Sequence, residues 1–394
     1  MVLSDTTEYN LHRHRGRIKD FDGIGSTSLN DICGFFSQNQ LVVERHTNQT
    51  LGWAHVYLFN RSMNNKPFVR SNCSVPIAEK ESNKWLEPSL LSRDKILKSS
   101  EHNLFVMDRE ADIYEVMSSL PSKKSDFLIR AKHNRRVLNT QGEIAKLKQD
   151  LEEKEVRAEV ILTVNGESRT RSKRQAKCEI RYETYSIPRP PKIFDKLNYP
   201  ENISATAIWI KEVSLVPQGE KPIEWLLWTS EKVINKASAI ELLSCYSARW
   251  TIEEAHRLLK TKGFNIEDTE LESGKSIRKL LILGMEASIK VMQLKAAREG
   301  ESLVKTDEVF NKEEILFLEV LNNKLQGSTE KLKNPHVKEK LAWASWVIAR
   351  LGGWKGYKSQ RPPGTITFKR GLDSYYQQHE GFLAALEFKD MCKR

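Results

Sequence analysis

Long apolar runs are missing from these 394 residues. A membrane span needs about 18 consecutive apolar residues, so no membrane partner is expected. The start carries no basic segment followed by an apolar one, the pattern of an export signal. Cysteine is scarce, odd in number and scattered (Cys33, Cys73, Cys178, Cys245, Cys392), with no C-x-x-C. That excludes a disulfide framework and an evident zinc site, and it fits a reducing cytoplasm. Internal repeats and low-complexity tracts are absent too. Charge of one sign is not in great excess: 63 Lys+Arg against 52 Asp+Glu gives +11, compatible with a polyanionic partner without requiring one. What is present is enough for a core. Apolar residues make up 39% and charged residues 29%, which excludes disorder by composition. At about 150 residues per domain, the length suggests two or three cores, or one core with a large insertion.

Val2-Leu3-Ser4-Asp5 reads as the tail of a strand ending on a carboxylate. Residues 12–19 follow as a basic loop, either facing a nucleic acid or simply solvated. Strand-like runs span 40–44 and 52–60, and the polar stretch 71–99 ends in a helix. Asn103-Leu104-Phe105-Val106-Met107-Asp108 is an apolar run closing on Asp, the pattern of a buried parallel strand. Residues 111–120 read as a helix. From about 127 to 229 apolar residues recur every second position (Val156, Ala158, Val160, Leu162, Val164; Ala176, Cys178, Ile180, Tyr182), which predicts antiparallel strands with one wet face and thus a β-rich insertion. Beyond 237 the period becomes helical, with helices expected over 237–261, 276–299, 312–323, 338–351 and 372–389.

At about 100° per residue, Tyr246, Arg249, Glu253, Arg257 and Lys260 share one narrow stripe, while Cys245, Ala248, Ile252, Ala255, Leu258 and Leu259 face the other way. Alone, such a stripe reads as a solvated charged face. Asp5 and Asp108, each closing a strand, change the weighing, because strand-terminal aspartates and a helical glutamate can converge. Three carboxylates in one place repel unless cations sit among them. Oxygen-only ligands favour Mg²⁺ or Mn²⁺ over zinc. An Asp108 that merely caps the following helix is the plainer alternative.

Tyr246-x2-Arg249-x3-Glu253-x6-Lys260 resembles the Y-R-E-K signature of the IS-four group of DDE transposases, the enzymes of bacterial insertion sequences. Asp108-Arg109-Glu110-Ala111-Asp112 resembles its accompanying box, and Asp5-Thr6-Thr7 the segment bearing the first catalytic Asp. The stretch 246–254 is most similar to the branch of the transposon Tn-five. The resemblance implies an α/β fold: a ribonuclease-H-like mixed sheet with helices, a β-rich insertion and a helical C-terminal region. It divides the chain into 1–126 (core, first part), 127–229 (insertion), 230–299 (core with the Y-R-E-K helix) and 300–394 (dimerisation region). It implies Asp5, Asp108 and Glu253 as the catalytic, metal-binding triad, using Mg²⁺ with Mn²⁺ able to substitute. Tyr246, Arg249 and Lys260 would grip DNA phosphates, with Arg257 standing where the family has Lys. Trp225 matches the position that stacks a flipped base, though its apolar strand also suits a core residue. Arg130, in Arg130-Ala131-Lys132-His133, matches a DNA-contacting position, with Lys132, Arg135 and Arg136 extending the cluster. The implied activity is cut-and-paste DNA transposition through a hairpin intermediate, by a homodimer on double-stranded DNA at the nucleoid.

One departure stands out. Relatives carry a helical DNA-binding region before the first Asp, whereas four residues precede Asp5 here. The first strand would then hold about four residues and leave the Asp5 carboxylate loosely held. The alternative expectation is therefore a shortened, non-catalytic regulator that dimerises with full-length transposase and inhibits it. A general ribonuclease-H-type nuclease is disfavoured, since it needs no clamp for a second strand.

Overall fold

Residues with apolar side chains on both sides of the backbone can only be buried between two layers, and Asn103–Met107 is such a segment, with all five residues buried. The computed structural model describes residues 1–27, 32–61, 75–164, 172–357 and 360–391. Cys73 and Cys392, and part of the 71–99 stretch, lie outside them; Cys33, Cys178 and Cys245 are buried free thiols.

Among the described residues the strands are β1 (Val2–Asn10), β2 (Gly25–Ser26), β3 (Cys33–Val43), β4 (Thr50–Phe59), β5 (Asn103–Met107), β6 (Ser125–Arg130), β7 (Arg136–Leu138), β8 (Ile144–Lys146), β9 (Ala158–Val164), β10 (Arg174–Pro188), β11 (Asn202–Glu212) and β12 (Glu224–Thr229). The helices are α1 (Asn83–Leu91), α2 (Tyr114–Ser119), α3 (Leu147–Glu153), α4 (Lys236–Ser247), α5 (Trp250–Arg257), α6 (Gly274–Ala297), α7 (Lys312–Leu325), α8 (Leu341–Leu351) and α9 (Thr365–Met391).

All these strands join one mixed sheet in the order β2-β3-β1-β5-β6-β12-β11-β10-β7-β8, with β4 paired to β3 and β9 to β10. The β1, β5 and β6 strands run parallel at its centre. Period two sorts the side chains: Leu3, Val106, Leu128 and Leu227 pack under α4–α6, while Val2, Phe105, Phe127 and Trp228 pack under α1–α3. A further core, including Phe317, Leu321, Trp346, Val347, Phe368 and Tyr375, joins α7–α9 to α6. There α8 and α9 cross at backbone contact. A Cβ on Gly352 would lie 2.0 Å from the Thr367 oxygen, and one on Gly371 would lie 2.0 Å from the Ile348 oxygen.

The period-two stretches form β9 and β10 as expected, and the helices past 270 match α6–α9 with shifted ends. Three expectations are corrected. The first strand does not end at Asp5: β1 continues to Asn10 and pairs with β3 along its whole length. Thr7 and Tyr9 alternate inward beyond Asp5, and this continuation is easily missed among Thr6 and Glu8. The 237–261 helix is interrupted. Across Ala248–Arg249 the α-ladder gives way to i→i+3 bonds (Arg249 N–H to Tyr246 O, Thr251 N–H to Ala248 O, Ile252 N–H to Arg249 O), and α5 then runs into a π-helical turn, Leu258–Lys262. The uniform 100° wheel therefore does not hold over the stripe. The 111–120 helix opens as a 3₁₀ turn, Arg109–Ala111, before α2. Residue 127, the expected start of the β-rich insertion, lies inside β6, a parallel neighbour of β5, and the strands that follow pair into the same sheet.

Candidate active site

The last parallel pair between β1 and β5 is Ser4 with Met107. Asp5 and Asp108 come next on neighbouring strands, with the same alternation as Leu3 and Val106, and so face α4 and α5. Asp108 precedes the 3₁₀ turn in extended conformation, yet its carboxylate makes no capping hydrogen bond. The plainer helix-cap reading is thus excluded. Its partner is instead the Tyr246 hydroxyl, which donates to Asp108 Oδ1 at 3.4 Å.

Arg249 stands at the break between α4 and α5, and the tightened turn aims its buried guanidinium between the other two carboxylates. Its Nη2 donates to Glu253 Oε1 at 2.6 Å, and its Nη1 lies 3.5 Å from Asp5 Oδ2. The Asp5, Asp108 and Glu253 side chains are therefore brought to one place, joined through Arg249 and Tyr246. Burial pushes the Asp5 carboxyl up to about 7; Arg249 opposes this, and the negative charges of Glu253 and Asp108 add to it. Burial also works against the charge on Arg249, but Asp5, Tyr246, Glu253 and Asp108 hold its pKa above the usual value.

The remaining stripe residues divide. Lys260 is half-buried over the Tyr9 ring, 5.6 Å from its centre, and burial lowers its pKa. Arg257 is exposed. Trp225 and Trp228 face opposite sides of the sheet. Trp228 is wholly buried under α1–α3, edge-on to Tyr185, whereas half-buried Trp225 meets the Tyr246 ring at 5.6 Å. Trp228 is thus a full core residue, while Trp225 packs partly exposed against the core beside Tyr246, the residue that bonds Asp108.

Arg130, at the end of β6, and Lys132 line a cleft of about 330 Å³ with Arg109, Lys148 and Glu224. The loop is held from below by Asp112. Its Oδ2 accepts the Lys132 and His133 amides at 2.8 and 3.1 Å, and its Oδ1 pairs with Arg135 at 2.7 Å. The second Asp of the Asp108–Asp112 box therefore shapes the basic loop instead of joining the carboxylates. Residues 12–19 include an exposed 3₁₀ turn, His12–Arg17, and Arg17 and Lys19 pair with Glu270 and Glu272.

Sequence reading missed Asn39 and His256. His256 follows Glu253 by one turn and is buried beside Asp5. Burial, with Lys260 and Arg249 adding, drops its imidazole to about 3. The 3.9 Å approach of Nδ1 to Asp5 Oδ2 is then no ion pair at neutral pH. Asn39 belongs to a buried polar run on β3, Ser37-Gln38-Asn39-Gln40, that no apolar periodicity reveals.

Among the described residues, the ligand atoms that all fall within 4.8 Å of one another belong to another group, His102, Asp126 and Glu231, at the opposite end of β5. Its charges are already met: His102 and Ser230 bond Asp126, and Arg45 grips both Glu231 oxygens. The Asp5, Asp108 and Glu253 oxygens are spaced more widely, with Arg249 among them.

The family model described as Transposase DDE domain matches residues 83–287, slightly more than half of the chain. The match covers Asp108, Glu253 and the strands between them; Asp5 lies outside it. The mixed sheet flanked by helices agrees with the ribonuclease-H-like fold of that domain. On this match the chain belongs to the DDE transposase family.

Proposed function

We propose that this transposase cuts and joins DNA in a divalent-metal-dependent reaction, with Asp5, Asp108 and Glu253 as the metal-holding triad. The observation that carries the proposal is the convergence of Asp5 and Glu253 on buried Arg249, with Asp108 beside them on Tyr246 and the Asp5 pKa raised to about 7. The donor set consists of oxygens only, which suits Mg²⁺ or Mn²⁺, and the Arg249 guanidinium already occupies the place of a cation between two of them. A divalent ion held there by Asp5, Asp108 and Glu253 would supply Lewis acidity toward the phosphodiester and would lower the pKa of a water or 3′-hydroxyl.

The protein's own groups position the DNA. Tyr246, Arg249, Lys260 and exposed Arg257 clamp phosphates beside the scissile bond, with Arg249 exchanging its carboxylate partners for a phosphate. Arg130 and Lys132 carry the backbone further along the basic cleft. Trp225, with one edge on Tyr246 and partial exposure, offers its face to a base turned out of the duplex; unstacking costs a few kcal/mol, and an aromatic face returns part of it. A strand held in this way can bend into a hairpinned end. The helices beyond residue 300 serve dimerisation, a role supported by α7, which turns Leu316 and Val320 to solvent one turn apart.

Cleavage of DNA bearing the element's own termini tests the reading. Mg²⁺-dependent nicking lost in Asp108→Ala and Glu253→Ala supports it. A protein that cuts equally well without these carboxylates, or that only dimerises with a longer transposase and blocks it, contradicts it.

A further inference from the structure

Asn39 lies directly across the β1–β3 pairing from Asp5, and it is fully buried. The Ser37 hydroxyl donates to Asn39 Oδ1 at 2.5 Å, which leaves the Asn39 amide nitrogen as the group facing His256 Nε2 at 2.9 Å. An amide N–H can only donate, so Nε2 accepts and the ring proton resides on Nδ1. That Nδ1–H edge is the one turned to Asp5 Oδ2, at 3.9 Å. The opposite polarity would set a ring lone pair against the carboxylate.

We propose that Ser37, Asn39 and His256 form a relay that fixes the tautomer of His256 and thereby positions the Asp5 carboxylate. The proposal rests on the reading of Asp5 as a metal ligand. At 3.9 Å the last step is an electrostatic contact and not a hydrogen bond. It limits rotation of the carboxylate toward the core while leaving Arg249 on the same oxygen. His256 is a positioning residue: neutral and buried, it presents a donor edge without adding a charge. The cost of burying Ser37 and Asn39 in the middle of a sheet is offset because each finds a partner. Groups that orient a metal ligand from behind commonly change metal affinity 10–100-fold when removed.

The test measures Mn²⁺ binding to DNA-free protein by titration calorimetry, together with the metal dependence of strand cleavage. Asn39→Asp keeps the size but offers Nε2 only acceptors. The ring then either carries its proton on Nε2, turning a lone pair on Asp5, or takes up a second proton and sets a positive charge against the metal; both weaken the site. The expected result is a Mn²⁺ dissociation constant raised about 10–100-fold, with the same shift in the metal concentration for half-maximal cleavage. His256→Leu should match it. His256→Gln, whose amide can accept from Asn39 and donate toward Asp5, should recover most of the affinity. Melting temperatures identify variants that fail to fold, and the comparison of His256→Gln with His256→Leu then decides. If Asn39→Asp binds Mn²⁺ like the parent, or if Gln and Leu at 256 lose equally, the relay is overturned. If the parent binds no Mn²⁺, or Asp5→Asn binds it unchanged, the underlying metal reading falls, and the relay with it.

Discussion

Arg249 and Glu253 are joined at 2.6 Å across one turn of α5, and the same guanidinium leans on Asp5. A cation so placed neutralises charges that would otherwise repel one another inside the fold.

Its removal should therefore destabilise the metal-free protein. Breaking a buried pair costs about 3–5 kcal/mol, and the partial exposure of Glu253 brings the expectation for Arg249→Gln to about 2–3 kcal/mol. Urea denaturation in chelator measures it. Added Mg²⁺ should restore part of the loss, because it supplies the missing charge. A variant as stable as the parent in chelator would show that the guanidinium is not balancing the carboxylates.

The raised Asp5 pKa sets the pH dependence. The folded value of about 7 lies above the ordinary carboxylate value of 3.8, so folding favours the protonated form. The stability this contributes is fully present below about pH 4 and is lost as pH rises through about 7. The span corresponds to at most ~4 kcal/mol. In chelator, Asp5→Asn should gain on the parent between pH 4 and 8 and match it most closely at the acidic end. Parallel stability curves for the two proteins would contradict the assignment.

Trp225 and Trp228 should separate function from folding. Trp228→Ala empties a fully buried site and should cost about 3–5 kcal/mol in denaturation. Trp225→Ala should cost less and instead reduce hairpinned ends about tenfold or more in a gel assay, an order suggested by stacking worth ~1–3 kcal/mol per base. Equal hairpin yields from Trp225→Ala and the parent would remove the stacking role.

Arg130→Ala and Lys132→Ala should weaken DNA binding similarly on all sequences, each lowering the slope of log affinity against log salt by about one. Asp112→Ala should act on the same slope through the loop it holds, with a stability loss as well. An unchanged slope in the two cation variants would place the DNA elsewhere.

The sequence made the local features legible. The Asn103–Met107 run and the alternation in β9 and β10 lie where their patterns suggest. What stayed hidden depends on distant partners. Thr6, Thr7 and Glu8 look like the start of a loop until β3 pairs with them. The buried run from Ser37 to Gln40 is polar because its partners are Asn39–His256 on one face and Gln40–Ser89 on the other, contacts between residues far apart in the chain. The break at Ala248–Arg249 has no proline or glycine to mark it. Phe127, Leu128 and Ile129 read as the start of an insertion because nothing local reveals that β6 lies beside β5.

Crystals grown with Mn²⁺ and examined by anomalous scattering test the central claim most directly. The account predicts density between Asp5, Asp108 and Glu253, within coordination distance of their carboxylate oxygens, and Arg249 withdrawn from its present partners. Manganese held by His102, Asp126 and Glu231 while the three carboxylates stay paired with Arg249 and Tyr246 would contradict it.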